Sequence, residues 1–273
     1  MSTEAERLNE QTRGATGRGG RTKVYQGEVL RHGVYTRAVH WAVAVFFILS
    51  MLTGFAIFSP WLYAWIAPVF GGGAITRLLH PWFGLAFCAA FLLQMINWLR
   101  PMRWNRSDGR WLRRIRKYAT NEESLEAEDV GKFNAGQKLW FWTIVVSAAV
   151  FLLTGFALWL PEIFGRELMW IAYFLHDVAA LVMLGGFIIH LYEGTAQQPG
   201  TFRSMTRGTV TDAWAWTHHP AWYGEVTGSD PREAYARAAR RRRERQHMIE
   251  EWEREQDARE RAPEPDPIGP RAQ

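Results

Sequence analysis

Four apolar runs limit what this chain can fold into more than any other feature of it. They lie at about residues 36–58, 76–99, 138–160 and 168–193. Each is long enough, at roughly 1.5 Å per helical residue, to cross a hydrocarbon layer about 30 Å thick. Lipid offers no water to satisfy backbone amides, so each run must be helical. The mean hydropathy of −0.19 would suit a water-soluble protein, but it averages an apolar middle with polar ends. The first run starts near Ala38 and continues for more than 20 residues, so it reads as a retained helix and not a cleaved leader. The expected fold is an all-α membrane protein, a bundle of four transmembrane helices.

The basic residues orient the bundle. Residues 1–40 hold seven Lys and Arg, the 100–138 connection ten, 194–226 two and 227–273 eleven, whereas the connections 59–77 and 161–168 hold only Arg77 and Arg166. Both termini are therefore expected in the cytoplasm, and no nucleic-acid partner is needed to explain the charge. The single cysteine, Cys88, lies within the second run. It excludes intrachain disulfides and a Cys-ligated iron–sulfur cluster.

The fourth run contains His176 and His190, 14 residues apart. On a helix that spacing falls about 40° short of four turns, so both imidazoles leave one face, about 21 Å apart along the axis. His40 opens the first run and His80 the second. The runs alternate in direction, so His40 and His190 share the cytoplasmic level while His80 and His176 share the outer one. Ionisable residues in a membrane default to functional hypotheses. Imidazole pairs facing across a helical bundle suit a b-type haem, each helix giving one axial ligand. Zinc would favour tetrahedral sites with thiolates or carboxylates at hand, and Asp177 points about 100° away from His176. The expectation is thus a bundle binding two b haems, the inner on His40 and His190, the outer on His80 and His176. Arg37 and Arg77 are the propionate candidates by depth, although headgroup anchoring explains them equally well.

The third run has no histidine. It shares the word LTGFA with the first, at 52–56 and 153–157. Gly54 lies 14 residues past His40, so it should face inward at the outer level, where it suits a flat macrocycle or close helix packing. Pro81 is expected in a first helical turn, where its missing amide costs nothing. His32 reads as lying in the headgroup region or water, and His218 and His219, before Pro220 in a Trp-rich loop, read as structural. The residues divide as a disordered lead at 1–21, the bundle with a cytoplasmic cap at 22–226, and a charged Arg/Glu tail at 227–273, with an exposed acidic stretch at 121–130. From these residues alone, Asn134 reads as a helix cap.

The runs RxxHW at Arg37–Trp41, FGGGxxTRxxHP at Phe70–Pro81, GKFNAGQK at Gly131–Lys138 and HDxxALxxxxxxxxH at His176–His190 resemble the cytochrome b subunit of respiratory formate dehydrogenases. The stretch PGTFRSMTRGTVTDAWAWTHHPAWYGEV is similar to that family's cytoplasmic end, so the resemblance covers about residues 24–226. It implies a di-haem subunit of the bacterial inner membrane, joined to an iron–sulfur (beta) subunit and a molybdopterin catalytic (alpha) subunit. Electrons would enter at the outer haem, cross to the inner one and reduce menaquinone or ubiquinone near the cytoplasm. It also implies quinone binding by Asn134, Gly136, Gln137 and Lys138. The alternatives are the cytochrome b subunit of a nickel–iron hydrogenase and, from another class, a haem-free membrane anchor.

Overall fold

A computed structural model describes residues 27–113, 115–116 and 129–260. The lead at 1–21, most of the acidic stretch, at 121–128, and the Pro-rich end at 261–273 lie outside the described residues. A short strand β1 (Glu28–Leu30) leads into the first long helix, α1 (Val34–Phe58). A brief helix α2 (Pro60–Ile66) and a 3-10 turn (Ala67–Phe70) connect it to α3 (Gly73–Trp98). Helix α4 (Arg106–Arg113) precedes α5 (Ala135–Trp159), and α6 (Arg166–Tyr192) follows. Among the described residues, helices α1, α3, α5 and α6 are the four long and apolar enough to span a membrane.

Their polarity is that of lipid-facing rods. Leu92, Ile96, Leu153, Phe174 and Leu181 are exposed, whereas Thr53, Thr76, Gln94, Ser147 and Thr154 are buried between helices. Small and polar residues inside a bundle serve helix contact when lipid covers the apolar faces. Helix α1 packs chiefly on α3, α5 on α6, and α3 bridges to α5. One antiparallel register runs through the first pair. Asn97 Nδ2 donates to Thr36 Oγ1 at 3.1 Å, and Thr53 Oγ1 lies 3.0 Å from His80 Nδ1, a step of 17 residues along both helices.

Helix α3 begins at Gly73, earlier than the sequence suggests, because Gly72 at φ 102 lets the chain turn in and the Thr76 hydroxyl donates to Gly72 O at 2.9 Å. Pro81 therefore sits in the helix interior and not in its first turn. Its missing N–H leaves the Arg77 carbonyl, three residues before His80, without an intrahelical donor.

The end of the bundle where α1 starts and α6 finishes is covered by a cap, and we call it the cap end; the opposite one is the loop end. The cap comprises α7 (Thr201–Thr206), strand β2 (Thr209–Thr211), α8 (Asp212–His218) and α9 (Pro220–Thr227). Strand β2 pairs antiparallel with β1, Val29 opposite Val210. Val29, Val210, Trp214, Trp216, Trp222 and Tyr223 form its core. Arg31 is its central pin: the guanidinium lies over Trp214 and Trp222, 4.7 and 5.1 Å from their centroids, and donates to Lys132 O at 2.7 Å. Arg31 Nη2 also meets His219 Nε2 at 3.2 Å, while His219 Nδ1 meets Gly131 O at 2.7 Å. A guanidinium only donates and a carbonyl only accepts, so the ring is neutral with its proton on Nδ1. Both nitrogens are spent, and His219 is a strut between cap and loop.

His32 is not in water: it is 3% exposed, tucked beside Trp98 and Phe133. Burial and the nearby Arg31 and Lys132 charges hold its pKa down at about 2. Beyond the cap, α10 (Pro231–Glu260) is a single polar helix, about 45 Å long.

Candidate functional site

The four bundle histidines meet in two couples. His40 of α1 faces His190 of α6 with ring centroids 6.2 Å apart and planes at 55°. His80 of α3 faces His176 of α6 at 6.2 Å and 65°. Helix α6 thus supplies one imidazole to each level, and α5 supplies none. Metal–imidazole bonds of about 2.0 Å, with about 1.1 Å from each nitrogen to its ring centre, place two imidazoles on one metal about 6.2 Å apart. Both couples show that separation. Among the described residues no group of three or more His, Cys, Asp or Glu converges. Each couple offers two imidazoles to one metal, and a tetrapyrrole is a group that would supply four further ligands in one plane.

The levels are supported differently. At the loop end, Thr53 Oγ1 lies 3.0 Å from His80 Nδ1, and Thr154 Oγ1 lies 2.8 Å from His176 Nδ1. A Cβ on Gly54 would sit 3.2 Å from His80 Cε1, and one on Gly155 3.9 Å from His176 Cε1. Both Thr–Gly pairs belong to the repeated LTGFA word. At the cap end the support is aromatic. Trp140 stacks on His190 at 5.8 Å and 26°, and Trp41 meets His40 edge-on at 5.5 Å. His40 Nδ1 is buried with no hydrogen-bond partner among the described residues. Gly186 is required here, since a Cβ would come within 2.1 Å of the Trp140 ring.

Arg37 Nη1 donates to Thr206 O at 2.6 Å and Trp41 Nε1 to Met205 O at 3.1 Å, tying α1 to α7. The Arg37 Nε is buried and has no partner among the described residues, a donor still available to an anion one turn from His40. Arg77 is exposed on α3, one turn towards the loop end from His80. Sequence reasoning passed over Gln94. Its side chain is 4% exposed, and both amide atoms lack partners among the described residues. The α1–α3 register puts it level with His40, and it lies 14 residues from His80. That helical arithmetic was the available signal. Leaving a buried amide unpaired costs roughly 1–3 kcal/mol, which a bound group with polar edges would relieve.

The loop before α5 is firmly held. Asn134 Oδ1 accepts from Gln137 N at 2.9 Å and Gln137 Oε1 from Asn134 N at 3.1 Å, a reciprocal cap. Gly136 lies under Trp111, where a Cβ would approach Cη2 to 3.1 Å. Lys138 Nζ donates to both Asp108 oxygens at 2.9 Å, and the pair is nearly fully buried, 3% and 2% exposed. Three of the four residues picked out for quinone thus have their polar groups engaged within the protein. Asp108 and Trp111, on α4, were not singled out in the sequence because nothing local marks a residue as the partner of one 30 positions away.

Residues 31–208 match the family model described as prokaryotic cytochrome b561. The chain is 33% identical over 201 residues to the nitrate-inducible formate dehydrogenase cytochrome b556 subunit of Escherichia coli K12, covering 72% of this chain and 91% of that protein. It is 32% identical over 209 residues to the other formate dehydrogenase cytochrome b556 subunit of that strain, covering 76% and 97%. It is also 32% identical over 201 residues to the formate dehydrogenase cytochrome b556 subunit of Haemophilus influenzae, covering 72% and 83%. With four membrane-length helices, two facing histidine couples and a family match across both, the chain belongs to the prokaryotic cytochrome b561 family.

Proposed function

We propose that this chain is the membrane cytochrome b subunit of a formate dehydrogenase complex, carrying electrons from an iron–sulfur subunit through two b haems to quinone. The observation that carries this reading is the pairing of His40 with His190 and of His80 with His176 at a spacing that fits one metal between each couple. The relatives' names support the choice of complex.

The bound haems would supply reversible one-electron chemistry. The protein's own residues do the positioning. His40 and His190 would hold the cap-end iron and His80 and His176 the loop-end iron. Arg37 Nε and the Gln94 amide offer buried polar atoms at the cap-end level, and Arg77, one turn from His80 on α3, is the cation candidate at the loop-end one. Quinone belongs at the loop opening α5, framed by Asn134, Gly136, Gln137 and Lys138. The capping box and the Lys138–Asp108 pair hold that frame rigid, so the loop presents a fixed backbone to an incoming carbonyl. With the cap end in the cytoplasm, as the basic residues indicate, protons for quinone reduction come from that side. The lead at 1–21 and the tail at 227–273 stand outside this electron-carrying part, residues 22–226.

Purifying the intact complex, with metal analysis and an optical redox titration, tests this. Two b-type components alongside molybdenum are expected. Nickel in place of molybdenum would move the chain to a hydrogenase, and absence of a Soret band would make it a haem-free anchor.

A further inference from the structure

Among the differences between the two histidine levels, one is chemical at the ring itself: the atom that receives the proton on the far ring nitrogen. Thr53 Oγ1 lies 2.8 Å from Leu49 O and 3.1 Å from Ser50 O, on its own helix. Thr154 Oγ1 lies 2.6 Å from Val150 O. A hydroxyl has one proton, and carbonyls only accept, so each hydroxyl spends its proton on its own backbone. What it offers the histidine is a lone pair. His80 Nδ1–H therefore has Thr53 Oγ1 as an acceptor at 3.0 Å, with Ser50 O beside it as a second, and His176 Nδ1–H donates to Thr154 at 2.8 Å. That fixes both tautomers, leaving the Nε2 lone pairs for a metal. The donation onward to the backbone polarises each hydroxyl and strengthens it as an acceptor.

The cap-end couple has nothing equivalent on His40, whose Nδ1 is buried and unpartnered. Its ring neighbours are indoles, Trp41 against His40 and Trp140 against His190. Hydrogen bonding at the far nitrogen raises a histidine's basicity towards its metal, and such partners tune affinity and potential. A more basic ligand favours the more oxidised iron.

We propose that Thr53 and Thr154 are paired positioning residues for the loop-end histidines, and that by accepting their Nδ1 protons they set the loop-end haem at a lower potential than the cap-end haem. This rests on the two-haem reading above. Electrons then run downhill from the loop end to the cap end because of two hydroxyls, both supplied by the repeated LTGFA word. The threonine serves the ring's far nitrogen while the glycine beside it leaves room for the ring's Cε1.

The test is an optical redox titration of the purified complex, comparing wild type with Thr53→Val, Thr154→Val, the double variant and the matching serine substitutions. The loop-end component is assigned as the one absent from a His176→Ala variant. The valine variants should raise the midpoint of that component, the double variant most, and leave the cap-end midpoint in place, while serine keeps the wild-type value. Should valine cause the loop-end haem to be lost, its retention in the serine variants supports the positioning role. An unmoved loop-end midpoint, equal movement of both components, or failure of serine to preserve the site would overturn the proposal. A wild-type complex lacking two b components would instead reject the reading beneath it.

Discussion

The loop-end and cap-end histidine couples share a ring separation of 6.2 Å, yet almost nothing else about their surroundings agrees. The loop-end rings are braced from within the bundle by hydroxyls, each on the residue just before a glycine that makes room for the ring. The cap-end rings are packed among tryptophans, and the helix carrying His40 is tied to the cap through Arg37 and Trp41. One level is complete within four helices. The other leans on a small soluble-type domain, itself pinned by Arg31 and His219 to the loop before α5. Stability of the two levels should therefore separate under the right perturbation.

The largest separation should come from the ligands. His190→Ala is expected to abolish formate-to-quinone electron transfer while formate-to-dye activity remains. Loss of both would place the site of dye reduction beyond the cap-end level.

Next comes the buried ion pair. Asp108→Asn leaves the Lys138 ammonium buried without its counter-charge, a change that costs about 3–5 kcal/mol. A thermal melt followed at the two haem bands should show the cap-end band lost first. Lys138→Met in the same chain should recover much of the loss, because no unpaired charge remains.

A smaller and more local effect is expected from the glycines. Gly54→Ala puts a methyl group 3.2 Å from the His80 ring, whereas Gly155→Ala meets His176 at an ordinary 3.9 Å. Haem retention at the loop end should therefore fall more for Gly54→Ala, and cap-end retention should be unchanged in both. Equal effects would show that the room beside His80 is not needed.

The mildest contrast is in pH. His32 stays neutral in the folded cap, with its pKa held down at about 2 against an ordinary 6.5. The unfolded chain binds its proton first, so this contribution to cap stability is whole above pH 6.5 and declines as pH falls below it. His219 works in the same direction, its pKa lowered by burial and by Arg31. Limited proteolysis of the cap should speed up between about pH 6.5 and 5, with a weaker acid response in His32→Phe. The loop-end spectrum should not follow it.

Much of this arrangement could be read from the chain alone. The four spans follow from length and hydropathy, and the 14-residue interval on α6, with alternating helix direction, leads to both couples without coordinates. LTGFA was visible as a repeat, and Gly54 could be placed at the loop-end level by counting. The role of Thr53 could not, because a threonine hydroxyl in a helix ordinarily bonds its own backbone, as this one also does. Only the position of the His80 ring shows its second engagement. His32 looked wet because its burial depends on Trp98 and Phe133, which are far away in sequence. Pro81 looked like a first-turn residue because the helix start depends on the backbone angles of Gly72. Long-range closure of the cap and the Asp108–Lys138 pair were illegible for one shared reason: neither leaves a periodic trace.

The most direct check of the central claim is haem stoichiometry and difference spectra for four alanine variants, at His40, His80, His176 and His190, each in the purified complex. His40→Ala and His190→Ala are expected to delete one and the same b component, and His80→Ala and His176→Ala the other. Deletion of a single component by His40→Ala and His80→Ala together, or four variants with unchanged haem content, would contradict it.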